Sequence, residues 1–235
     1  MRAVYLSHQG AVREKNDDAV YCDAAAGVFV VADGIGGKEA GEVASATAVR
    51  IVAEKTWLAP EDPPREMLRE AFYQANDFLY KRGGRPGLDG MGTTMTAAVC
   101  RGEDICIVHV GDTRAYLLNR SGITQLTDDH SLVAQLCREG KLSAAEAKHH
   151  PRRTILLRAI GPESLVEVDE RTAKWGPGDY LLLCSDGLHS LVDDEEMQET
   201  VLRCAQLESA AAYLAEAAYN RGGYDNISIV IVAFE

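Results

Sequence analysis

The sequence predicts an α+β fold, and three observations carry that prediction. Short apolar or β-branched runs recur along all 235 residues, two of them joined as an antiparallel hairpin by Arg101-Gly102-Glu103-Asp104. Two stretches instead show helical spacing, with Val43, Thr47 and Ile51 beside Ala44, Ala48 and Val52, and later Leu68, Ala71, Phe72, Ala75, Phe78 and Leu79. With 46% hydrophobic and 26% charged residues, the composition is that of an ordinary globular chain, long enough for a substantial core.

Taken in order, Val4 to Asp23 reads as a short strand, a turn at Gln9-Gly10, the charged run Arg13-Glu14-Lys15-Asn16-Asp17-Asp18, and a second strand from Ala19. Alone, that charged run reads as a solvated loop with local ion pairs. Its alternative is a guanidinium suited to a phosphate dianion, with acids that face a metal. Val28 to Ala32 is a buried strand ending in Asp33-Gly34-Ile35-Gly36-Gly37, where missing Cβ atoms leave the backbone open to a small ligand. A helix over Ala40 to Thr56, a proline-bearing linker and the second helix lead to a glycine-rich loop over Arg82 to Gly90.

Met91 to Val99 and Ile105 to Val110 form the predicted hairpin, with Met91 and Met95 as packing residues, and the second strand ends in Gly111-Asp112-Thr113-Arg114. Ala115 to Leu118 is a further strand. Ile123 to Gly161 breaks this rhythm: a capped helix through Glu139, a stop at Gly140 and a capping box at Ser143-Ala144-Ala145-Glu146 predict a small helical insertion. Basic residues from His149 to Arg153 mark its exit as a surface loop. Strands at Val166 to Thr172 and Tyr180 to Cys184, the latter ending in Ser185-Asp186-Gly187, precede helices over Asp193 to Cys204 and Ser209 to Tyr219. The terminal strand, Ile227 to Phe234, follows Asp225-Asn226.

Asp33, Asp112, Asp186 and Asp225 thus each stand at a strand end, three of them beside a glycine, which is more coherent as one convergent site than as four unrelated turns. Carboxylates without histidine or cysteine suit hard divalent cations, Mg²⁺ or Mn²⁺, and two such ions with an arginine are the physical recipe for phosphoester hydrolysis. His109 and His189 lie in apolar surroundings and read as satisfied core histidines, whereas His130 is a minor candidate acid. A formal charge of −12, from 36 acidic and 24 basic residues, excludes a phosphate-backbone binder. Six scattered cysteines, no apolar leader and no membrane-length run predict a cytoplasmic protein without membrane insertion.

In this order, Arg13-Glu14-Lys15-Asn16-Asp17-Asp18, Val31-Ala32-Asp33-Gly34-Ile35-Gly36-Gly37, Gly92-Thr93-Thr94, Gly111-Asp112-Thr113-Arg114, Ser185-Asp186-Gly187 and Asp225-Asn226 resemble the motifs of the metal-dependent PPM/PP2C family of protein serine/threonine phosphatases, in its compact bacterial form. The resemblance spans the chain and implies one catalytic domain over residues 1–235: a central β-sandwich of two antiparallel sheets flanked by helices, with a flap over about residues 127–161. It implies a protein-serine/threonine phosphatase that uses a metal-bridging water, acts on phosphorylated proteins, including a Ser/Thr protein kinase, reverses such a kinase, and works as a monomer. By motif, Asp33 would bridge two Mn²⁺ or Mg²⁺ ions, Gly34 would lend a carbonyl, Asp186 and Asp225 would hold the second ion, and Arg13 would bind phosphate. Asp17 and Asp18 match the acidic pair near the metals, and Asp112 matches the acid that shares a third, weaker ion with Asp186. The sequence departs at His8, where aspartate is common, at Asp17, which replaces a longer side chain, and at Ile35, where animal members carry a histidine proposed as general acid. The alternatives are a non-catalytic phosphoprotein-binding regulator of the same fold and a phosphatase for a regulator in a sigma-factor pathway.

Overall fold

A computed structural model describes residues 1–37, 40–85, 88 and 90–234. Its elements, in chain order, are β1 (Arg2–His8), β2 (Asp18–Asp23), β3 (Val28–Ile35), α1 (Ala40–Leu58), α2 (Pro64–Gly83), β4 (Gly92–Arg101), β5 (Asp104–Val110), β6 (Arg114–Asn119), β7 (Gly122–Gln125), α3 (Leu132–Arg138), α4 (Ala144–Lys148), β8 (Asp169–Lys174), β9 (Tyr180–Cys184), α5 (Asp186–His189), α6 (Asp194–Arg203), α7 (Leu207–Asn220) and β10 (Ile227–Ala233). Two antiparallel sheets form, ordered β1-β10-β9-β6-β7 and β2-β3-β4-β5-β8. Residues 86, 87 and 89 of the expected Arg82 to Gly90 loop lie outside the described residues.

The strand sequences are continuously apolar because their strands are covered on both faces. Val28, Val30 and Ala32 of β3 pack toward α1 and α2, while Phe29 and Val31 fill the space between the sheets. In the other sheet, Ile227, Ile229 and Ile231 of β10 meet α5 to α7, and Val230 and Val232 face the opposing sheet. Three apolar layers therefore separate helices, sheet, sheet and helices. Each fully buried large side chain stabilises this stack by about 1.5–3 kcal/mol. On α1 the buried positions are mostly small, Ala40, Gly41, Ala44, Ser45 and Ala48, which lets the helix lie close to β3. Met91 and Met95 are buried in the layer between β4 and the helices, as packing residues should be.

Three stretches differ from the sequence reading. The insertion starts later than Ile123, because Gly122–Gln125 pairs with β6 as β7 and Ile123 packs against the outer core. β8 is displaced to Asp169–Lys174: Val166 and Val168 are drawn into the apolar layer beneath α1 and α2, which leaves a polar edge strand with little periodic signal. Phe78, on the predicted apolar line of α2, is exposed.

Antiparallel pairing gathers one set of strand ends. Asp33 at the end of β3 pairs with Asp18 at the start of β2 and with Thr94 near the start of β4, and the end of β5 lies beside them through Met95 and Val110. In the facing sheet, Cys184 at the end of β9 pairs with both Ile229 of β10 and Arg114 of β6.

Candidate metal and phosphate centre

These strand ends and the segments that adjoin them carry the acids. Asp33 is partly buried, and its carboxyl is held well above the ordinary carboxylate range by desolvation and then by the charges of Asp18, Asp186, Asp112 and Asp225. Asp112 is pushed up by burial and then by Asp186 and Asp129, against the pull of Arg114. Burial and Asp225 raise Asp186 to about 6 while Arg13, Arg153 and Arg114 draw it back; burial raises Asp18 to about 7 against hydrogen bonds from Ser185 and Ser228. The structure thus brings Asp33, Asp18, Asp112, Asp186 and Asp225 into one electrostatic neighbourhood.

Asp17 stands to one side. Burial raises it as well, but the charges it feels most are Arg13 and Glu42, and its carbonyl receives the Gly34 N–H at 3.1 Å and the Ser45 hydroxyl at 2.6 Å. A Cβ at Gly34 would collide with the Gly41 carbonyl oxygen, so only glycine lets the start of α1 approach this end of β3. Arg13, half exposed, donates from Nη2 to Asp225 Oδ2 at 2.6 Å, so the arginine expected at phosphate lies at the margin of the acid cluster.

Several residues that hold this arrangement had only weak sequence signals. Asn226, 4% exposed, accepts from the Asp17 N–H and donates to the carbonyls of Gln9 and Lys15, each at 2.8 Å. One amide, with two donors and one acceptor, pins both ends of the loop that carries Arg13 to the residue after Asp225. Ser185 donates to Asp18 Oδ2 at 2.8 Å and accepts from the Ser228 N–H at 2.9 Å, which fixes the start of β2 against β10 across the two sheets. The signal in both cases was a polar residue inside a motif at the end of an apolar run. Arg114 grips Asp129 bidentately at 2.8 and 2.7 Å and tethers the insertion to β6. Arg153, assigned to a surface loop, carries positive charge from the insertion to Asp186.

The histidines divide. His189 donates from Nε2 to the Asp112 carbonyl at 3.0 Å and, pushed down to about 3 chiefly by burial, is neutral there. His130 accepts the Gly111 N–H on Nδ1 at 3.0 Å while its Nε2 lies 3.2 Å from Asp169, so neither ring nitrogen is available to a leaving group. His109 is a core histidine that bonds Thr96 through Nδ1 at 2.9 Å, while among the described residues its buried Nε2 has no partner at full hydrogen-bond geometry. His109 also lines a cleft of about 550 Å³ with Arg65, Arg69 and Arg171 that contains none of the clustered acids, and its wall is charge-balanced.

The acid cluster meets the requirements of a hard divalent cation. Among the described residues, Asp17 Oδ1, Asp18 Oδ1 and Asp186 Oδ1 are buried oxygens without a hydrogen-bond partner, an arrangement costly for a polar group and resolved by a cation. All the donors are oxygen, which suits Mg²⁺ or Mn²⁺ rather than zinc. Among the described residues, no three acidic, histidine or cysteine side chains already close on one point.

A family model described as protein phosphatase 2C matches residues 7–217. The serine/threonine phosphatase stp of Listeria monocytogenes is 38% identical over 246 residues, spanning 99% of this chain and 95% of that protein. The crystal structure of the Mycobacterium tuberculosis serine/threonine phosphatase PstP/Ppp superposes with a TM-score of 0.93 at 36% identity, covering 100% of this chain and 98% of the other. A structure of the PstP catalytic domain in complex with two manganese ions gives a TM-score of 0.89 at 35% identity, over 98% of this chain and 96% of that one.

Proposed function

Because the chain belongs to the protein phosphatase 2C family, we propose that it hydrolyses phosphoserine and phosphothreonine on proteins at the clustered acids, with Mn²⁺ or Mg²⁺ as cofactor. The observation that carries this reading is the convergence of five carboxylates, two of them with unpartnered buried oxygens, beside an arginine with donors to spare.

Asp33 would be shared between two ions, the Gly34 carbonyl would complete one, and Asp186 and Asp225 would hold the other; Asp18 and Asp17 would contribute directly or through water, and Asp112 would share a third ion with Asp186. When bound, such ions supply neutralising charge for phosphoryl oxygens and water of lowered pKa. Arg13 uses Nη2 on Asp225, which leaves Nε and Nη1 to receive a phosphoryl oxygen, so one side chain can orient the phosphate and an acid together. His189 fixes the backbone of Asp112, and Asn226 fixes the loop of Arg13. With Ile35 apolar and His130 fully engaged, leaving-group protonation falls to water or to another residue of the site.

A non-catalytic regulator of the same fold is less well supported, since Asp33, Asp186, Asp225 and Arg13 are all retained. The reading extends to a monomer opposing a Ser/Thr protein kinase in the cytoplasm; free cysteines and the lack, among the described residues, of a helix long and apolar enough to cross a membrane are consistent with it. The test is hydrolysis of matched phosphoserine, phosphothreonine and phosphotyrosine peptides with Mn²⁺, Mg²⁺ or chelator. Metal-dependent release from the first two is expected, and Asp33→Ala should abolish it while weakening Mn²⁺ binding by calorimetry. Full turnover in chelator, or undiminished Mn²⁺ binding by the variant, would overturn the assignment.

A further inference from the structure

We propose that His189 is a positioning residue that holds Asp112 against Asp186 and so governs how tightly their shared third ion binds. This deepens the phosphatase reading and rests on it. The ladder between β6 and β9 ends at Arg114 and Cys184. Asp112 stands two residues before the first and Asp186 two after the second, so the antiparallel register carries the two acids to facing positions just past its end. Asp186 is accordingly the charge that Asp112 feels most. Past Cys184 the chain coils into α5, and the Asp112 carbonyl receives its hydrogen bond from His189 Nε2 at 3.0 Å.

α5 is a single turn with Asp186 first and His189 last, a spacing of three that sets both side chains on one side of the helix. The element that supplies one acid thus also grips the main chain of the other. This grip matters because Gly111 to Thr113 is the crossing from β5 in one sheet to β6 in the other. On either side of Asp112 the crossing is held elsewhere: the Thr96 hydroxyl of β4 donates to the Thr113 carbonyl at 3.0 Å, and His130 Nδ1 accepts the Gly111 N–H at 3.0 Å. Gly111 has a φ of +111°, and a Cβ there would collide with the Thr94 side chain, so the chain enters the crossing by one route. His189 is the side chain of α5 that ties this crossing to Asp186. Two carboxylates brought face to face repel, and a divalent ion gains most from them when they cannot separate. A side chain that fixes the backbone of one ligand against the other therefore acts on the affinity of the ion they share.

The test is Mn²⁺ calorimetry on the full chain, together with turnover of a phosphothreonine peptide as Mn²⁺ is varied. The wild-type protein should take up a tight pair of ions and a weaker third. His189→Phe keeps a ring and loses the donor, so it should retain the tight pair and weaken the third ion about tenfold, the low end of what loss of an orienting partner costs a metal site. Its turnover should fall at limiting Mn²⁺ and recover in excess, which a folding defect would not do. His189→Gln, with an amide N–H able to reach the same carbonyl, should restore both towards wild type. An unweakened third ion in His189→Phe, loss of the tight pair with it, a His189→Gln variant no better than His189→Phe, or only two ions in the wild type would overturn the positioning role while leaving the phosphatase reading intact. No Mn²⁺-dependent release by the wild type would overturn both.

Discussion

Replacing Asn226 with alanine should show how strongly Arg13 depends on one buried amide. The side chain makes three hydrogen bonds at 2.8 Å, one from the Asp17 N–H and two to the carbonyls of Gln9 and Lys15. At about 1 kcal/mol net each, and somewhat more where a partly buried group is left unpaired, their loss comes to about 3 kcal/mol. That is a large share of the roughly 5–15 kcal/mol that holds a domain together. With a urea slope near 3 kcal/mol/M for a chain of this size, the unfolding midpoint should fall by about 1 M. Asn226→Asp should fare no better: it can still accept from Asp17, but it sets a carboxylate oxygen against two carbonyls. Since the pinned loop carries Arg13, KM for a phosphothreonine peptide should rise in both variants. A midpoint within about 0.2 M of wild type would refute the estimate, and an unchanged KM in a clearly destabilised variant would refute the positioning role.

Arg13→Lys keeps the charge and loses the fork, so KM for a phosphopeptide should rise about tenfold, the effect of about 1.4 kcal/mol, with a smaller change in kcat; unaltered kinetics would reduce Arg13 to a solvated partner of Asp225. Asp112→Ala should lower phosphopeptide turnover while calorimetry still detects the inner pair of Mn²⁺ ions; loss of those ions would place Asp112 in the core set. The stabilisation conferred by Mn²⁺ should grow with pH between about 5.5 and 8, since Asp18 at about 7, Asp186 at about 6 and a raised Asp33 must release protons to bind it, each proton displaced contributing about 1.4 kcal/mol per pH unit. Without metal these raised acids bind more protons folded than unfolded, so their contribution to stability declines over that interval. His109 and His189, depressed to about 4 and 3, contribute in the opposite sense: their share is present above about 6.5 and lost as pH falls through those values. The difference in thermal midpoint with and without Mn²⁺ cancels the histidines, and a pH-independent difference would contradict the raised acids.

The buried strands, the helices and the acids at strand ends were legible in the sequence because each rests on local rules. Val28 to Ala32 is apolar throughout since both its faces are covered, and the glycine after Asp33, although still within β3 and not in the expected turn, marks the point where α1 comes close. β7 and the displaced β8 were not legible, because a four-residue strand and a polar edge strand owe their pairing to neighbours rather than to any periodicity of their own. The same distinction runs through the site. Residue type and order determined that Asp33, Asp112, Asp186 and Asp225 would be carboxylates on rigid strand ends. Strand pairing within one sheet decided that Asp18 rather than Asp17 would join Asp33, and only the packing of one sheet on the other decided that Arg13 would lean on Asp225 and that Asn226 would clasp a loop more than 200 positions away in the chain. Those contacts join segments distant in sequence, and the desolvation that raises the acids exists only once two sheets and two helical layers have closed around them.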